Sequence, residues 1–125
     1  MSDNIILSEI RNKILNMNEV LFQEMGDLFF NYELRPNEIE SRGSVVNKIK
    51  TKKGTPDTLI IDDKNRIVFI EYTTQKDDLK KKNINDLRSC FDEKKSKTKN
   101  KDIYKIIQCS NQRISNEIKQ YYIIM

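Results

Sequence analysis

The sequence contains no histidine, and this absence excludes a large class of catalytic sites. Histidine is the usual general base near neutral pH, the commonest transition-metal ligand and the middle member of Ser-His-Asp and Cys-His sites. Any catalysis by this chain must therefore use carboxylates, amines and bound metal ions. Carboxylate oxygens suit hard cations such as Mg²⁺ or Mn²⁺.

Cysteines and long apolar runs are also scarce. Cys90 and Cys109 are too few for a disulfide framework or an all-cysteine zinc site, so we expect reduced, partly buried thiols. The N-terminus lacks a basic stretch followed by an apolar one, and no apolar run approaches the roughly 18 residues that span a membrane. We therefore expect a cytoplasmic protein without a membrane partner.

The composition is that of a folded domain. Of the 125 residues 37% are hydrophobic and 34% are charged, and apolar stretches recur along the whole length. We expect one domain over residues 1–125. Because the chain ends on an apolar, strand-like stretch, we also expect that it is the N-terminal module of a longer protein.

The first part of the chain has helical periodicity. Apolar residues fall three and four positions apart from Asn4 to Phe30. The interruption at Asn16-Met17-Asn18 predicts two helices or one bent helix, ending near Tyr32 before Arg35-Pro36.

Beyond Pro36 the pattern changes to that of strands. We predict strands at 45–49, 58–61 and 67–73, with a hairpin turn at 62–65. A charged helix over 77–93, a strand at 103–109, a short helix at 114–121 and a further strand from 122 follow. The second and third strands are almost continuously apolar, which indicates helices on both faces of the sheet. The order predicts an α/β fold with a mixed sheet of four to five strands flanked by helices.

The hairpin brings two acids together by simple counting. In an antiparallel pair the numbers of facing residues have a constant sum, which is 128 for a three-residue connection at 63–65. This register sets Leu59 opposite Phe69, and Asp57 opposite Glu71. Facing side chains have Cβ atoms roughly 5 Å apart, so the two carboxylates repel. A shared proton, which raises the pKa of one acid, or a bound divalent cation would offset that repulsion. The alternative is that Asp57 starts one strand and Glu71 ends another, facing solvent.

Basic residues are grouped near these acids. Two groups flank the pair and favour a polyanionic partner. For a third group, solvated surface and nucleic-acid binding are equal alternatives. The first group is Lys48, Lys50, Lys52 and Lys53, the second Lys76, Lys80, Lys81, Lys82 and Arg88, and the third Lys94, Lys95, Lys97, Lys99 and Lys101.

Gly54-Thr55-Pro56-Asp57, the hairpin and Glu71-Tyr72-Thr73 together resemble the PD-(D/E)xK restriction-endonuclease-like superfamily. In that family a Pro-Asp at the start of one strand and an acid in the next bind Mg²⁺, and a lysine stands two residues beyond the acid. The resemblance covers the chain from Asn18 onward and implies a restriction-endonuclease-like core.

The resemblance also implies a ligand set for Mg²⁺ or Mn²⁺. It assigns Asp57, Glu71 and the main-chain carbonyl of Tyr72 to the cation. Family members often add an acid from the preceding helix, for which we expect Glu24, with Glu19 as the substitute.

One position departs from the family pattern, because Thr73 stands where the lysine is usual. A threonine hydroxyl supplies no positive charge. Lys76, or Lys80 or Lys82 on the next helix, is then expected to replace it. The string Glu71-Tyr72-Thr73-Thr74-Gln75 is similar to a variant in nuclease domains of bacterial antiviral proteins. The expected catalytic set is Asp57, Glu71, Thr73, Gln75 and Lys76, and the expected nucleic-acid contacts are Lys48, Lys50, Lys52, Lys53, Lys80 and Lys82.

These features predict a Mg²⁺-dependent endonuclease that hydrolyses DNA, with RNA as the alternative substrate, and that acts in phage defence. Because cutting both strands requires two sites, we expect a homodimer or higher assembly. The first alternative is a catalytically inactive relative that binds nucleic acid or mediates assembly. The second is an interaction module in which both acids are surface residues.

Overall fold

The structure is a computed structural model that describes residues 3–42 and 54–112. Within these ranges two helices are followed by three strands, two further helices, a 3-10 turn and a fourth strand. In order they are α1 (Asp3–Leu15), α2 (Glu19–Leu34), β1 (Glu38–Ser41), β2 (Thr58–Ile61), β3 (Ile67–Thr73), α3 (Leu79–Cys90), α4 (Glu93–Ser96), a 3-10 turn (Asn100–Asp102) and β4 (Ile103–Ser110).

Two separate helices, one of the two predicted arrangements, form the N-terminal part. The side chain of Asn18 accepts a hydrogen bond from the main-chain N–H of Leu21 at 2.9 Å, which caps the start of α2. The helix ends at Leu34, where Arg35 adopts a left-handed conformation (φ 43°) and Pro36 prevents continuation. No helix in the described ranges is long and apolar enough to cross a membrane.

The strands form a four-stranded mixed sheet in the order β1-β2-β3-β4. The first three strands are antiparallel, and β4 is parallel to β3. The predicted mixed sheet flanked by helices is therefore confirmed. Strand β1 was not predicted, because its sequence Glu-Ile-Glu-Ser carries a single apolar residue and all four residues are exposed. The strands predicted at 45–49 and from 122, and the helix predicted at 114–121, lie outside the described residues.

The register of the central hairpin is the one obtained by counting. Leu59 faces Phe69, and Ile61 faces Ile67. Asp62 closes the turn, since its Oδ1 accepts hydrogen bonds from the main-chain N–H groups of Lys64 at 2.9 Å and Arg66 at 2.8 Å. This turn sets the pairing of every residue along both strands.

Both faces of the sheet are covered, as the apolar strands indicated. On one face Ile70 and Tyr72 pack against Phe22 of α2. On the other, Phe69 packs against Cys90 of α3. Alternation along β3 places Glu71 on the same face as Phe69, towards α3.

Helix α2 lies very close to β3 at Gly26. A Cβ atom on Gly26 would be 2.2 Å from Cε1 of Tyr72, so no side chain fits there. The close approach brings α2 within hydrogen-bonding distance of the strand ends that carry the candidate site.

Candidate functional site

Asp57 and Glu71 lie side by side at the open end of the central hairpin. Asp57 directly precedes β2, and the register of the hairpin, continued by one residue, sets it opposite Glu71. Oδ2 of Asp57 also accepts a hydrogen bond from the main-chain N–H of Tyr72 at 2.8 Å. Glu71 is only 7% exposed, which disfavours the alternative that it faces solvent.

Burial and mutual repulsion favour the protonated form of one of the two acids. Burial and, to a smaller extent, the negative charge of Asp57 together raise the pKa of Glu71 to about 9. Burial also raises the pKa of Asp57, to about 6, against the lowering effect of the Tyr72 N–H. Without a cation, Glu71 is therefore protonated and Asp57 ionised at neutral pH.

Side chains from α2 hold the strand ends in place. Gln23, which is 2% exposed, donates from Nε2 to the main-chain carbonyl of Asp57 at 3.0 Å. Asp27 accepts hydrogen bonds from the hydroxyls of Thr58 at 2.7 Å and Tyr72 at 2.8 Å. The position of Asp57 therefore depends on buried polar contacts across the α2 face of the sheet.

Cys90 of α3 contacts Glu71. Its fully buried thiol donates a hydrogen bond to Oε1 of Glu71 at 3.3 Å. Burial and the nearby carboxyl of Glu71 raise the pKa of the Cys90 thiol well above its ordinary value. Both cysteines are free, with Cys90 buried and Cys109 half-buried, as the sequence indicated.

The acid pair opens into a charged cleft of about 860 Å³. Among the described residues, its lining combines acids and cations from six segments of the chain. The acids are Glu19, Glu40, Asp57, Glu71 and Asp86, and the cations are Arg42, Lys82, Lys95 and Lys97.

Lys82 is the candidate from α3 that the structure places in this cleft. Its Nζ lies 2.9 Å from Oδ1 of Asp86. Burial alone would lower the pKa of Lys82, but the hydrogen bond and charge of Asp86 raise it above its ordinary value. Lys82 is therefore a cation beside the two acids. Lys80 is exposed and does not line the cleft, because two positions along a helix correspond to a rotation of about 200°.

Three expected catalytic residues do not line the cleft. Thr73 is 3% exposed, and its hydroxyl accepts a hydrogen bond from the main-chain N–H of Gln75 at 3.1 Å. The Gln75 amide donates to the carbonyls of Asp77 and Asp78, which closes the turn before α3. Lys76 is exposed outside the cleft. The Thr73 hydroxyl and the Gln75 side chain make their hydrogen bonds within the turn that follows β3, and Lys76 stands in the same turn.

The acid contributed by α2 is Glu19 rather than Glu24. Glu19 lines the cleft and Glu24 does not. Five positions along a helix correspond to a rotation of about 140°, so the two side chains lie on different faces of α2. The face that carries Glu19 continues to Gln23 and Gly26, both buried against the sheet.

The remaining expected residues are Tyr72 and the first lysine group. The Tyr72 main chain adjoins Asp57 through its N–H, while its side chain packs on the opposite face of the sheet. The expected contacts Lys48, Lys50, Lys52 and Lys53 lie outside the described residues. Arg42 and Gly54, the described residues on either side of that segment, both line the cleft.

Sequence reasoning missed Arg42 and left Lys95 and Lys97 undecided. All three line the cleft that contains the acid pair. Asp92 caps the one-turn helix α4 that carries Lys95, but a cap predicts a local turn and not a position in the cleft. The distance of the two lysines along the chain from Asp57 concealed their proximity in the fold.

Comparison with protein-family models, with curated proteins and with solved structures found no match for this chain.

Proposed function

We propose that this domain is a metal-dependent phosphodiesterase, specifically a Mg²⁺- or Mn²⁺-dependent endonuclease that acts on DNA, with RNA as the alternative substrate. One observation carries the proposal. Two carboxyl groups, on Asp57 and Glu71, meet in a charged cleft beside the cation Lys82.

The donor set suits a hard cation. Mg²⁺ in proteins usually takes one or two carboxylates and completes its coordination with water and substrate phosphate. Asp57 and Glu71 would hold the cation, and a positive charge between them would relieve their repulsion. Among residues 3–42 and 54–112 no group of three or more His, Cys, Asp or Glu side chains is placed to hold a metal ion. We assign a further ligand to the Tyr72 carbonyl, next to Glu71 in the chain.

When bound, the cation would supply Lewis-acid activation of water and neutralise charge on the phosphate. The chain supplies the rest of the chemistry. Glu71 would ionise to hold the cation, and the Tyr72 N–H, which donates to Oδ2 of Asp57, orients the Asp57 carboxylate. Lys82 takes the role of the lysine that Thr73 replaces, because its ammonium group can stabilise negative charge that develops on the phosphate. Asp86 holds that ammonium group in the cleft.

Cleavage of supercoiled plasmid in Mg²⁺ or Mn²⁺ tests the proposal. We expect Asp57→Ala to abolish cleavage and Lys82→Met to slow it by about 10² to 10³, the effect of removing one transition-state contact. Lys64→Met, an exposed lysine in the hairpin turn at the far end of the strands, is the matched control and retains activity. If concentrated wild-type protein cleaves neither DNA nor RNA in either metal, the enzyme assignment is wrong.

A second candidate is an inactive relative that binds nucleic acid. It is favoured by Thr73, which occupies the position of the usual lysine and uses its hydroxyl within the turn. The same assay separates the two functions, since this candidate binds plasmid without cutting it. A role in bacterial antiviral defence, and the dimer or higher assembly that double-strand cutting requires, belong to the nuclease proposal.

A further inference from the structure

The lysine-rich segment after α3 folds into a fixed turn. Oδ1 of Asp92 accepts hydrogen bonds from the main-chain N–H groups of Lys94 at 3.1 Å and Lys95 at 3.4 Å. At the other end the N–H of Lys97 donates to the Glu93 carbonyl at 2.9 Å, and Lys97 adopts a left-handed conformation (φ 58°). The backbone between Lys95 and Lys97 therefore has one defined path.

Buried contacts anchor the middle of this turn. Ser96 is fully buried, and its hydroxyl accepts a hydrogen bond from the N–H of Thr98 at 3.2 Å. Nη1 of Arg42 donates to the Ser96 carbonyl at 2.9 Å and to the Thr55 carbonyl at 3.2 Å. One guanidinium group thus joins the lysine turn to the loop that precedes Asp57.

Lys95 and Lys97, on either side of buried Ser96, both line the cleft of the acid pair. Within the described parts of the chain neither ammonium group makes an ion pair, whereas Lys82 is paired with Asp86 and Arg42 with Glu40. Two such cations facing a cleft form a suitable site for an anion of extended shape.

We propose that Lys95 and Lys97 bind the phosphodiester backbone of the nucleic acid whose scissile phosphate lies at Asp57 and Glu71. Arg42 is the positioning residue, since it fixes the lysine turn relative to the loop that carries Asp57. The inference rests on the proposed nuclease function. Because backbone phosphates are alike, this contact provides affinity with little sequence discrimination.

Binding in EDTA, where no metal-dependent cleavage occurs, tests the inference. The probes are fluorescent single-stranded DNA, duplex DNA and RNA, and the readout is anisotropy over a range of salt concentrations. We expect Lys95→Gln combined with Lys97→Gln to weaken binding at least about tenfold, and to reduce the slope of log affinity against log salt by about 1.4 to 1.8 for two lost phosphate contacts.

A matched control comes from the same segment. Lys99→Gln combined with Lys101→Gln removes the same charge from two exposed lysines that do not line the cleft, and we expect a loss of less than about threefold with an unchanged slope. Equal losses in both double variants, no loss in the first, or no binding by the wild type would overturn the inference. Thermal unfolding verifies that the variants fold.

Arg42→Lys tests the positioning role separately. Lysine keeps the positive charge but lacks the rigid guanidinium group, in which Nη1 donates to two carbonyls while Nε donates to Glu40. We expect weaker binding, and a much smaller further loss when Arg42→Lys is added to the Lys95/Lys97 double variant. Full additivity would show that Arg42 does not act through the turn. If the wild-type protein binds the probes but does not cleave plasmid, the nuclease proposal alone is refuted. The failure of the nuclease proposal and the failure of this inference are therefore distinguishable.

Discussion

Replacing Glu71 with glutamine should make the protein more stable at alkaline pH. Burial and the charge of Asp57 raise the pKa of Glu71 to about 9 in the folded state, whereas its ordinary value of 4.5 applies once the chain unfolds. Between these two pKa values, folding is therefore accompanied by the uptake of a proton. The stabilisation from Glu71 is complete below pH 4.5 and is lost as pH rises towards about 9. Glutamine resembles the protonated acid and has no such dependence.

The size of the effect follows from proton linkage. While the folded state holds about one proton more than the unfolded state, the free energy of unfolding falls by about 1.4 kcal/mol per pH unit. From pH 6.5 to 8.0, above the pKa of about 6 for Asp57, the wild type should therefore lose about 2 kcal/mol relative to Glu71→Gln.

Urea unfolding in EDTA at these two pH values measures the difference. Glu33→Gln, at an exposed acid on α2, is the control and should follow the wild type. Adding Mn²⁺ should restore stability to the wild type at pH 8.0 but not to Glu71→Gln, because the amide carries no negative charge for the cation. Parallel pH profiles for the wild type and Glu71→Gln would refute the assignment of the proton to Glu71.

Two further predictions concern the framework that positions the site. Gly26→Ala should lower the free energy of unfolding by about 1 to 3 kcal/mol, because its Cβ would lie 2.2 Å from the buried Tyr72 ring. Leu28→Ala, which truncates a 71% exposed side chain on the same helix, is the control for urea unfolding, and an equal cost would refute the close approach. Asn18→Ala removes the cap of α2 and should cost about 1 kcal/mol in the same assay, whereas Asn18→Asp should preserve stability.

The central hairpin was predictable because its register depends on local features. Loop length determines the pairing of Leu59 with Phe69, and the same count sets Asp57 opposite Glu71. Strand β1 was not predictable, because its exposed residues have no apolar pattern and it is held by pairing with β2.

The rest of the site depends on contacts between segments distant in sequence. The resemblance led us to expect a lysine near Thr73, whereas Gln75 makes its hydrogen bonds within the turn after β3, and the lysine of α3 that lines the cleft is Lys82. Helical phase would have favoured Glu19 over Glu24, had the buried face of α2 been assigned first. The link from Arg42 to Ser96 joins residues 54 positions apart and has no local signal.

The central claim is that Asp57 and Glu71 together bind a divalent cation. An anomalous difference map from crystals of the wild-type protein soaked in Mn²⁺ tests it most directly. The claim predicts a peak between the two carboxyl groups, about 2.2 Å from their oxygen atoms, and no peak there in Asp57→Ala crystals. A fully soaked wild-type crystal with no peak at these carboxyl groups, or with manganese bound only elsewhere, would contradict it.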